Sequence, residues 1–208
     1  MSGSYKIRTE NWRAGVAVPG TAPEVCPNAA NATTEALLNR DREGAPTACI
    51  TKHLGFTPDK LQSEALDATE DRVLLLCTRQ WGKSTIAAAK ALHHALSTEK
   101  AFIIFASACK RQSQELARKC KEYAEQLGLP AKRDGEGFTL PNGARIIPVP
   151  QSPEKVRCYS APSLIIIDES AYVKDEMFQT VTPMLATSNG TLWIMSTAGP
   201  QRGFVYKT

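Results

Sequence analysis

Two short stretches of this chain carry residue types whose order suits phosphate chemistry. Gly82-Lys83-Ser84 follows the apolar run Val73-Leu74-Leu75-Leu76-Cys77 and opens an Ala-rich stretch that reads as a helix to about Leu96. A strand that turns into a helix at such a triplet aims backbone N–H groups and the positive end of the helix dipole at an anion. The lysine then reaches the β- and γ-phosphates of a nucleotide. The Ser84 hydroxyl and Thr85 complete the turn, and Ser84 suits Mg²⁺. The full phosphate-loop pattern asks for Gly five residues before Gly82, where this chain has Cys77, so the assignment rests on the strand before and the helix after. The alternative is a lysine at an ordinary strand–helix corner.

The second stretch, Leu164-Ile165-Ile166-Ile167-Asp168-Glu169, runs four aliphatic residues into two carboxylates. Asp168, ending a buried strand, suits Mg²⁺ directly or through water, because hard cations take oxygen ligands. Glu169, one residue on, suits a general base that polarises an attacking water. Acids also cap the segments that follow them, which is the other reading of the pair.

These residues need a scaffold that brings them together. Thr57-Pro58-Asp59 reads as a helix start with Thr57 as N-cap and Pro58 in the first helical position, followed by the apolar face Leu61, Ala65, Leu66 and Ala68. Val73–Cys77, Phe102–Phe105, Leu164–Ile167 and Thr191–Met195 read as buried strands. A helix from about Arg111 to Leu127 places Leu116, Cys120, Tyr123 and Leu127 on one stripe, and another runs from about Asp175 to Leu185. Phe138–Leu140 and Arg145–Val149 read as a β-hairpin, because the intervening Asn142-Gly143 accepts positive φ angles. The expected fold is α/β: a mainly parallel sheet with flanking helices and a β-hairpin insertion near residues 138–149. A strand, a helix and that hairpin separate Lys83 from Asp168, so the acidic strand is not expected to be the next neighbour of the phosphate-loop strand. Such an arrangement resembles the additional-strand (RecA-like) class of P-loop NTPases more than the kinase and GTPase class.

Within that class the motifs resemble the large subunit of the tailed-phage terminase, a DNA-packaging motor. Thr78-Arg79-Gln80-Trp81-Gly82-Lys83-Ser84 is similar to the family's deviant Walker A, in which an Arg-Gln pair precedes Gly-Lys. Asp168-Glu169-Ser170-Ala171-Tyr172 is similar to its Walker B. Met195-Ser196-Thr197-Ala198-Gly199-Pro200 resembles its coupling motif, Gly203-Phe204-Val205-Tyr206 the segment after it, and Pro58-Asp59-Lys60-Leu61-Gln62 its Q motif. The resemblance covers about Phe56 to Tyr206.

It implies ATP as substrate, with Mg²⁺. Gln62 would pair with the adenine edge, since a carboxamide offers both donor and acceptor; its plainer role is a surface glutamine on an amphipathic helix. Thr78 to Thr85 would form the nucleotide-binding loop, and Arg79 would stabilise γ-phosphate charge, in cis or toward a ring neighbour; otherwise Arg79 is a solvated loop residue. Catalysis would rest on Glu169, Arg79 and Lys83, metal binding on Ser84 and Asp168, and coupling of hydrolysis to DNA movement on Ser196 and Thr197, for which a polar strand end is the alternative. The implied partners are double-stranded DNA, further copies in a ring on the phage portal, and the small terminase subunit. Relatives of this kind continue into an RNase H-like nuclease domain, whereas this sequence stops at Thr208, so the expectation is an ATPase domain at 56–208 without DNA cleavage. A helicase would need a second RecA-like domain, and a non-hydrolysing nucleotide-binding scaffold would have no use for Glu169.

The remaining features set bounds. Lys and Arg number 25 against 21 Asp and Glu, and the net charge of +4 permits a nucleic-acid partner without arguing for one. The excess lies in Lys110, Arg111, Arg118, Lys119, Lys121, Lys132 and Arg133, set against Glu115, Glu122 and Glu125. Arg111, Arg118 and Lys121 are candidates for DNA phosphates, but Arg118–Glu122 and Lys121–Glu125 can pair along the helix, and a solvated face is the favoured reading. The six cysteines show no Cys-x-x-Cys spacing and read as reduced. No apolar run approaches bilayer length and the N-terminus lacks an apolar signal core, so the expected location is the host cytoplasm, with no membrane partner. Residues 1–55, punctuated by Pro19-Gly20, Pro23, Pro27, Gly44 and Pro46, read as an arm or linker.

Overall fold

The structure is a computed structural model and describes residues 6–9, 46–150, 152–197, 199 and 204. In chain order the first elements are β1 (Lys6–Thr9), α1 (Pro46–His53), α2 (Lys60–Leu66), β2 (Arg72–Cys77), α3 (Lys83–Ser97), β3 (Phe102–Ser107) and α4 (Lys110–Gln126). They are followed by β4 (Lys132–Asp134), β5 (Gly137–Thr139), β6 (Arg145–Val149), α5 (Pro153–Val156), β7 (Leu164–Asp168), a 3-10 turn (Ser170–Tyr172), α6 (Asp175–Ser188) and β8 (Thr191–Thr197). One eight-stranded sheet runs β1-β2-β8-β7-β3-β6-β5-β4. Every pairing from β1 to β6 is parallel, and β5 and β4 add antiparallel strands at the edge. The strand β8 separates β2 from β7, as expected for the additional-strand class.

Strand periodicity decides the layers. Alternate residues of one strand point to opposite faces, so Val73, Leu75, Ile103, Phe105, Ile166, Trp193 and Met195 pack with α3 and α4. Leu74, Ile104, Ile165, Ile167 and Ile194 pack with Val156, Met177, Val181 and Leu185 of α5 and α6 on the other face. Runs of aliphatics without polar alternation are what a parallel sheet covered on both sides requires.

One expectation needs correction, and two gain detail. The N-cap of α2 is Asp59, not Thr57, and Pro58 lies outside the helix: Asp59 Oδ1 accepts from the N–H groups of Leu61 and Gln62, both at 2.9 Å. Gln62 Oε1 accepts Asp59 N–H in return at 2.9 Å, and this reciprocal capping box outweighs a threonine followed by proline. The expected hairpin is present as β5 and β6, and it is part of the sheet. Its second strand, β6, pairs parallel with β3 from Phe102↔Arg145 to Ala106↔Val149, because Ile146, Ile147 and Val149 continue the buried layer. Within residues 1–55, β1 joins the sheet beside β2, and α1 bonds to α2 through Thr47 N–H and Asp67 Oδ1 at 3.0 Å. Residues 1–5 and 10–45 lie outside the described residues.

The amino-terminal edge of the sheet is closed by hydrogen bonds. Asn142 Nδ2 donates to the Ala95 carbonyl at 2.7 Å, and Arg72 Nη1 donates to that of Gly190 at 2.7 Å. The Ser163 hydroxyl bonds the Phe102 backbone and lies 3.0 Å from His94 Nε2. Burial, then the nearby positive charge of Lys90, pushes His94 down to about 4, so the ring is neutral at neutral pH. Lys90 Nζ donates to the carbonyls of Leu66 and Ala68 at 2.6 and 2.8 Å, fastening the end of α2 to α3.

Candidate active site

The carboxyl-terminal ends of β2, β7, β8 and β3 face the opposite edge, where open parallel sheets place their ligands. From Cys77 the chain leaves β2 through Thr78, Arg79 and Gln80, all exposed, and enters α3 at Lys83. Gln80 holds φ +63° and Gly82 φ +90°, and these turns wrap the loop back over the start of the helix. Glycine is needed at 82 for a second reason: a Cβ there would sit 3.2 Å from Gln62 Nε2. That Gln62 nitrogen donates to the Trp81 carbonyl at 2.7 Å. Both ends of the Gln62 carboxamide are therefore engaged with backbone, one capping α2 and the other fixing the loop. Trp81 packs against the core, and its buried Nε1 has no hydrogen-bond partner among the described residues. The first helical bonds return to Gly82 O from Thr85 N and Ile86 N, so the N–H groups preceding them have no intrahelical acceptor.

The acidic pair arrives from β7. Asp168 is 7% exposed, and its Oδ1 accepts the Glu169 N–H at 2.9 Å. Burial raises the Asp168 pKa; the Glu169 backbone bond and Lys83 oppose the rise, while the Glu169 charge adds to it. Glu169 sits at φ 49°, ψ 45°, a left-handed conformation that costs a residue with a side chain about 1–3 kcal/mol. The turn is over-determined by its neighbours: Tyr172 N–H bonds the Glu169 carbonyl at 3.0 Å and Ala171 N–H bonds Ser196 Oγ at 3.2 Å. It aims the carboxylate at the phosphate loop, where Lys83 Nζ lies 3.4 Å from Oε1 and Thr197 Oγ1 donates to Oε2 at 3.1 Å. Lys83, Glu169 and Thr197, from three distant stretches of sequence, thus converge. Ser196, fully buried, contacts the Glu169 turn through Ala171.

Two clefts open beside this carboxylate. One, of about 450 Å³, is lined by Arg79, Gln80, Lys83, Gln112, Tyr172 and Thr197 among others. The other, of about 590 Å³, includes Ser84, Arg111, Gln112, Lys119 and Asp168. Glu169 borders both. Gln112, Lys119 and the 53% exposed Tyr172 are wall residues the motifs did not assign to the site. Gln112 was findable, because the first turn of a helix following a parallel strand reaches this edge. Thr85 lines neither cleft: its hydroxyl bonds Lys119 and Tyr123 of α4. Of the basic residues proposed for DNA, Arg118 bonds Glu115 and Glu122, and Lys121 lies 3.5 Å from Glu125, so among the described residues Arg111 is the one of the three at the cleft without an acidic partner. Cys77 is buried, and burial raises its thiol to about 12, which marks it as packing.

The donor set suits a magnesium ion. Ser84 and Asp168 offer two hard oxygen ligands on one cleft, and among the described residues no group of three or more His, Cys, Asp or Glu side chains is placed to cage a metal. Mg²⁺ is bound in this fashion, by one or two protein oxygens with substrate phosphates and water completing the shell.

A family model described as terminase large subunit, T4likevirus-type, N-terminal, matches residues 74–205, from the phosphate-loop strand to beyond β8. The chain belongs to that family. No curated protein matches this terminase chain in sequence. Its fold is similar to the Thermus phage P74-26 large terminase ATPase domain, with a TM-score of 0.69 at 16% identity over 79% of this chain and 74% of that one. The HK97 bacteriophage large terminase aligns at 0.61 and 16% identity, over 74% of this chain and 37% of that longer one. The N-terminal domain of the DNA packaging ATPase from bacteriophage phi29 aligns at 0.52 and 18% identity, over 74% and 84%. At these identities the likeness is one of fold, and it agrees with the α/β, additional-strand reading. Family membership makes the chain an ATPase-type terminase domain of the phage packaging machinery. Among its described residues no helix is long and apolar enough to cross a membrane.

Proposed function

We propose that this domain hydrolyses ATP with Mg²⁺ and uses the cycle to drive double-stranded viral DNA into a procapsid. The observation that supports it most is the meeting of Lys83, Glu169 and Thr197 at one carboxylate, at 3.4 and 3.1 Å. In this reading the free N–H groups of the Gly82 turn and the Lys83 ammonium bind the β- and γ-phosphates. Thr78, Gln80 and Trp81 form the loop around them, and Arg79, exposed beside Gln80 and Lys83, offers its guanidinium to γ-phosphate charge from this copy or a neighbouring one. Ser84 and Asp168 would hold Mg²⁺, which when bound offsets charge on the β- and γ-phosphate oxygens. Glu169 accepts the proton of the attacking water, with its carboxylate oriented by Thr197. Gln62 reads adenine only by exchanging one of its two backbone bonds, which would tie base recognition to the shape of the loop.

Coupling follows from the same contacts. Thr197 and Ser196 end β8 and bond the Glu169 turn, so a change at the carboxylate is felt by the segment that leaves β8. Phe204 in that segment stacks on Phe178 of α6, with centroids 4.6 Å apart, and its N–H bonds Asp175 Oδ1. The partners in this reading are double-stranded DNA, further copies in a ring on the portal, and the small terminase subunit, in the cytoplasm of the host.

Steady-state ATP hydrolysis by wild type and Glu169→Gln tests the assignment. Turnover is expected to fall about 10²–10⁴-fold while ATP binding persists. Unchanged turnover would remove Glu169 as the base.

A further inference from the structure

Lys119 sits in the basic stretch of α4, yet the structure separates it from its neighbours. Arg118 takes both nearby carboxylates, bonding Glu115 at 2.7 Å and Glu122 at 2.6 Å. Lys119 instead turns toward α3, where its Nζ donates to Thr85 Oγ1 at 2.6 Å, and Thr85 is its one hydrogen-bond partner among the described residues. Thr85 directly follows Ser84, so the ammonium is held against the first turn of the phosphate-loop helix. The side chain is half-buried, and it lines the same cleft as Ser84, Asp168 and Glu169. An ammonium carries three N–H donors. One neutral hydroxyl accounts for one of them, leaving two donors and a full charge at the cleft wall. Withdrawing a charge from water is unfavourable unless an opposite charge or further acceptors meet it. Desolvation accordingly lowers the Lys119 pKa, partly offset by Glu122.

A purely structural fastening between α3 and α4 would need only a neutral donor. We propose that Lys119 is a second phosphate-binding cation of the nucleotide cleft, positioned by Thr85 and acting on the polyphosphate alongside Lys83. The inference rests on the reading of Gly82-Lys83-Ser84 as a nucleotide site and adds a residue that no sequence motif contains. Its ligand class is the polyphosphate chain, not the base.

Equilibrium binding of ATP and of inorganic tripolyphosphate to the 208-residue chain tests it, with wild type, Lys119→Gln, Lys119→Arg and Lys83→Ala compared. The glutamine keeps an N–H for Thr85 Oγ1 but carries no charge. It is expected to weaken both ligands by the same factor, about 10- to 100-fold, as the loss of one charge-assisted contact does. Lys119→Arg should recover most of the loss, and melting without ligand should stay near wild type. Wild-type affinity in Lys119→Gln would overturn the proposal and leave the nucleotide site standing, provided that Lys83→Ala binds more weakly. No ATP binding by wild type, or none lost in Lys83→Ala, would overturn both. A measurement on wild type alone covers a glutamine variant that does not fold: acetylation of the Lys119 amine, followed by peptide mass spectrometry, should be slowed by tripolyphosphate. An unaltered acetylation rate would overturn the proposal.

Discussion

The two edges of the sheet obey opposite rules. At the amino-terminal edge, polar groups find protein partners: Asn142 on the Ala95 carbonyl, Arg72 on that of Gly190, Ser163 on Phe102 and His94. At the carboxyl-terminal edge the chain holds Gln80 and Glu169 at positive φ, leaves the Trp81 indole and Ser170 hydroxyl without hydrogen-bond partners among the described residues, and sets Lys119 on one neutral acceptor. The same sheet carries both, so the difference is not one of scaffold quality. Left-handed backbone occurs at both edges, at Lys100, Ala161 and Asn189 before β3, β7 and β8 as well as at Gln80 and Glu169. What sets the carboxyl-terminal edge apart is that its strained turns carry the charged groups Lys83, Asp168 and Glu169 around open clefts. A closed edge holds the fold, and an open one holds its chemistry in readiness.

The contrast is sharpest if the two edges fail differently. Lys83→Ala should cost the most function, about 10²–10³-fold or more in ATP turnover, with a melting temperature within a few degrees of wild type. Steady-state kinetics beside calorimetry check this, and a large loss of stability would blur the distinction. Ser163→Ala should do the reverse: it leaves the Phe102 N–H without its partner and should lower stability by about 2 kcal/mol in denaturant titration, with ATP affinity unchanged. The smallest effect is a linkage at Lys90, whose burial lowers its pKa from 10.5 to about 8, against the raising influence of Asp67 and Glu70. Between those values the unfolded chain binds the proton and the folded chain does not, so stability rises with pH across that window. A neutral amine still supplies two N–H groups for the Leu66 and Ala68 carbonyls. Melts of wild type should therefore gain about 1 kcal/mol on Lys90→Met between pH 7 and pH 9. A constant difference would place the amine in water instead.

How much of this was legible in the sequence depends on how local the cause is. The buried strands and the helix after Gly82 follow from runs and periodicity, and the Asn142-Gly143 turn from backbone chemistry confined to two residues, with Gly143 at φ 80°. The separation of Asp168 from Lys83 in sequence correctly set their strands apart, although the strand that lies between them, β8, follows both in the chain. Other features are tertiary. The three residues of β4, Lys132–Asp134, are strand only because β5 pairs with them, and no composition rule marks them. Asp59 displaced Thr57 as the cap because Gln62 completes its box, a residue that the motif resemblance had assigned to adenine alone. Lys119 read as one base in a charged run. Its contact with Thr85 crosses from one helix to another, and nothing in the spacing of α4 shows it.

The most direct measurement is a crystal structure of this chain with Mg²⁺ and a slowly hydrolysed ATP analogue. The account predicts phosphate oxygens within hydrogen-bond reach of Lys83 Nζ and the N–H groups of Gly82 to Ser84, with the metal between Ser84 and Asp168. A triphosphate bound out of reach of both Lys83 and Asp168 would contradict it.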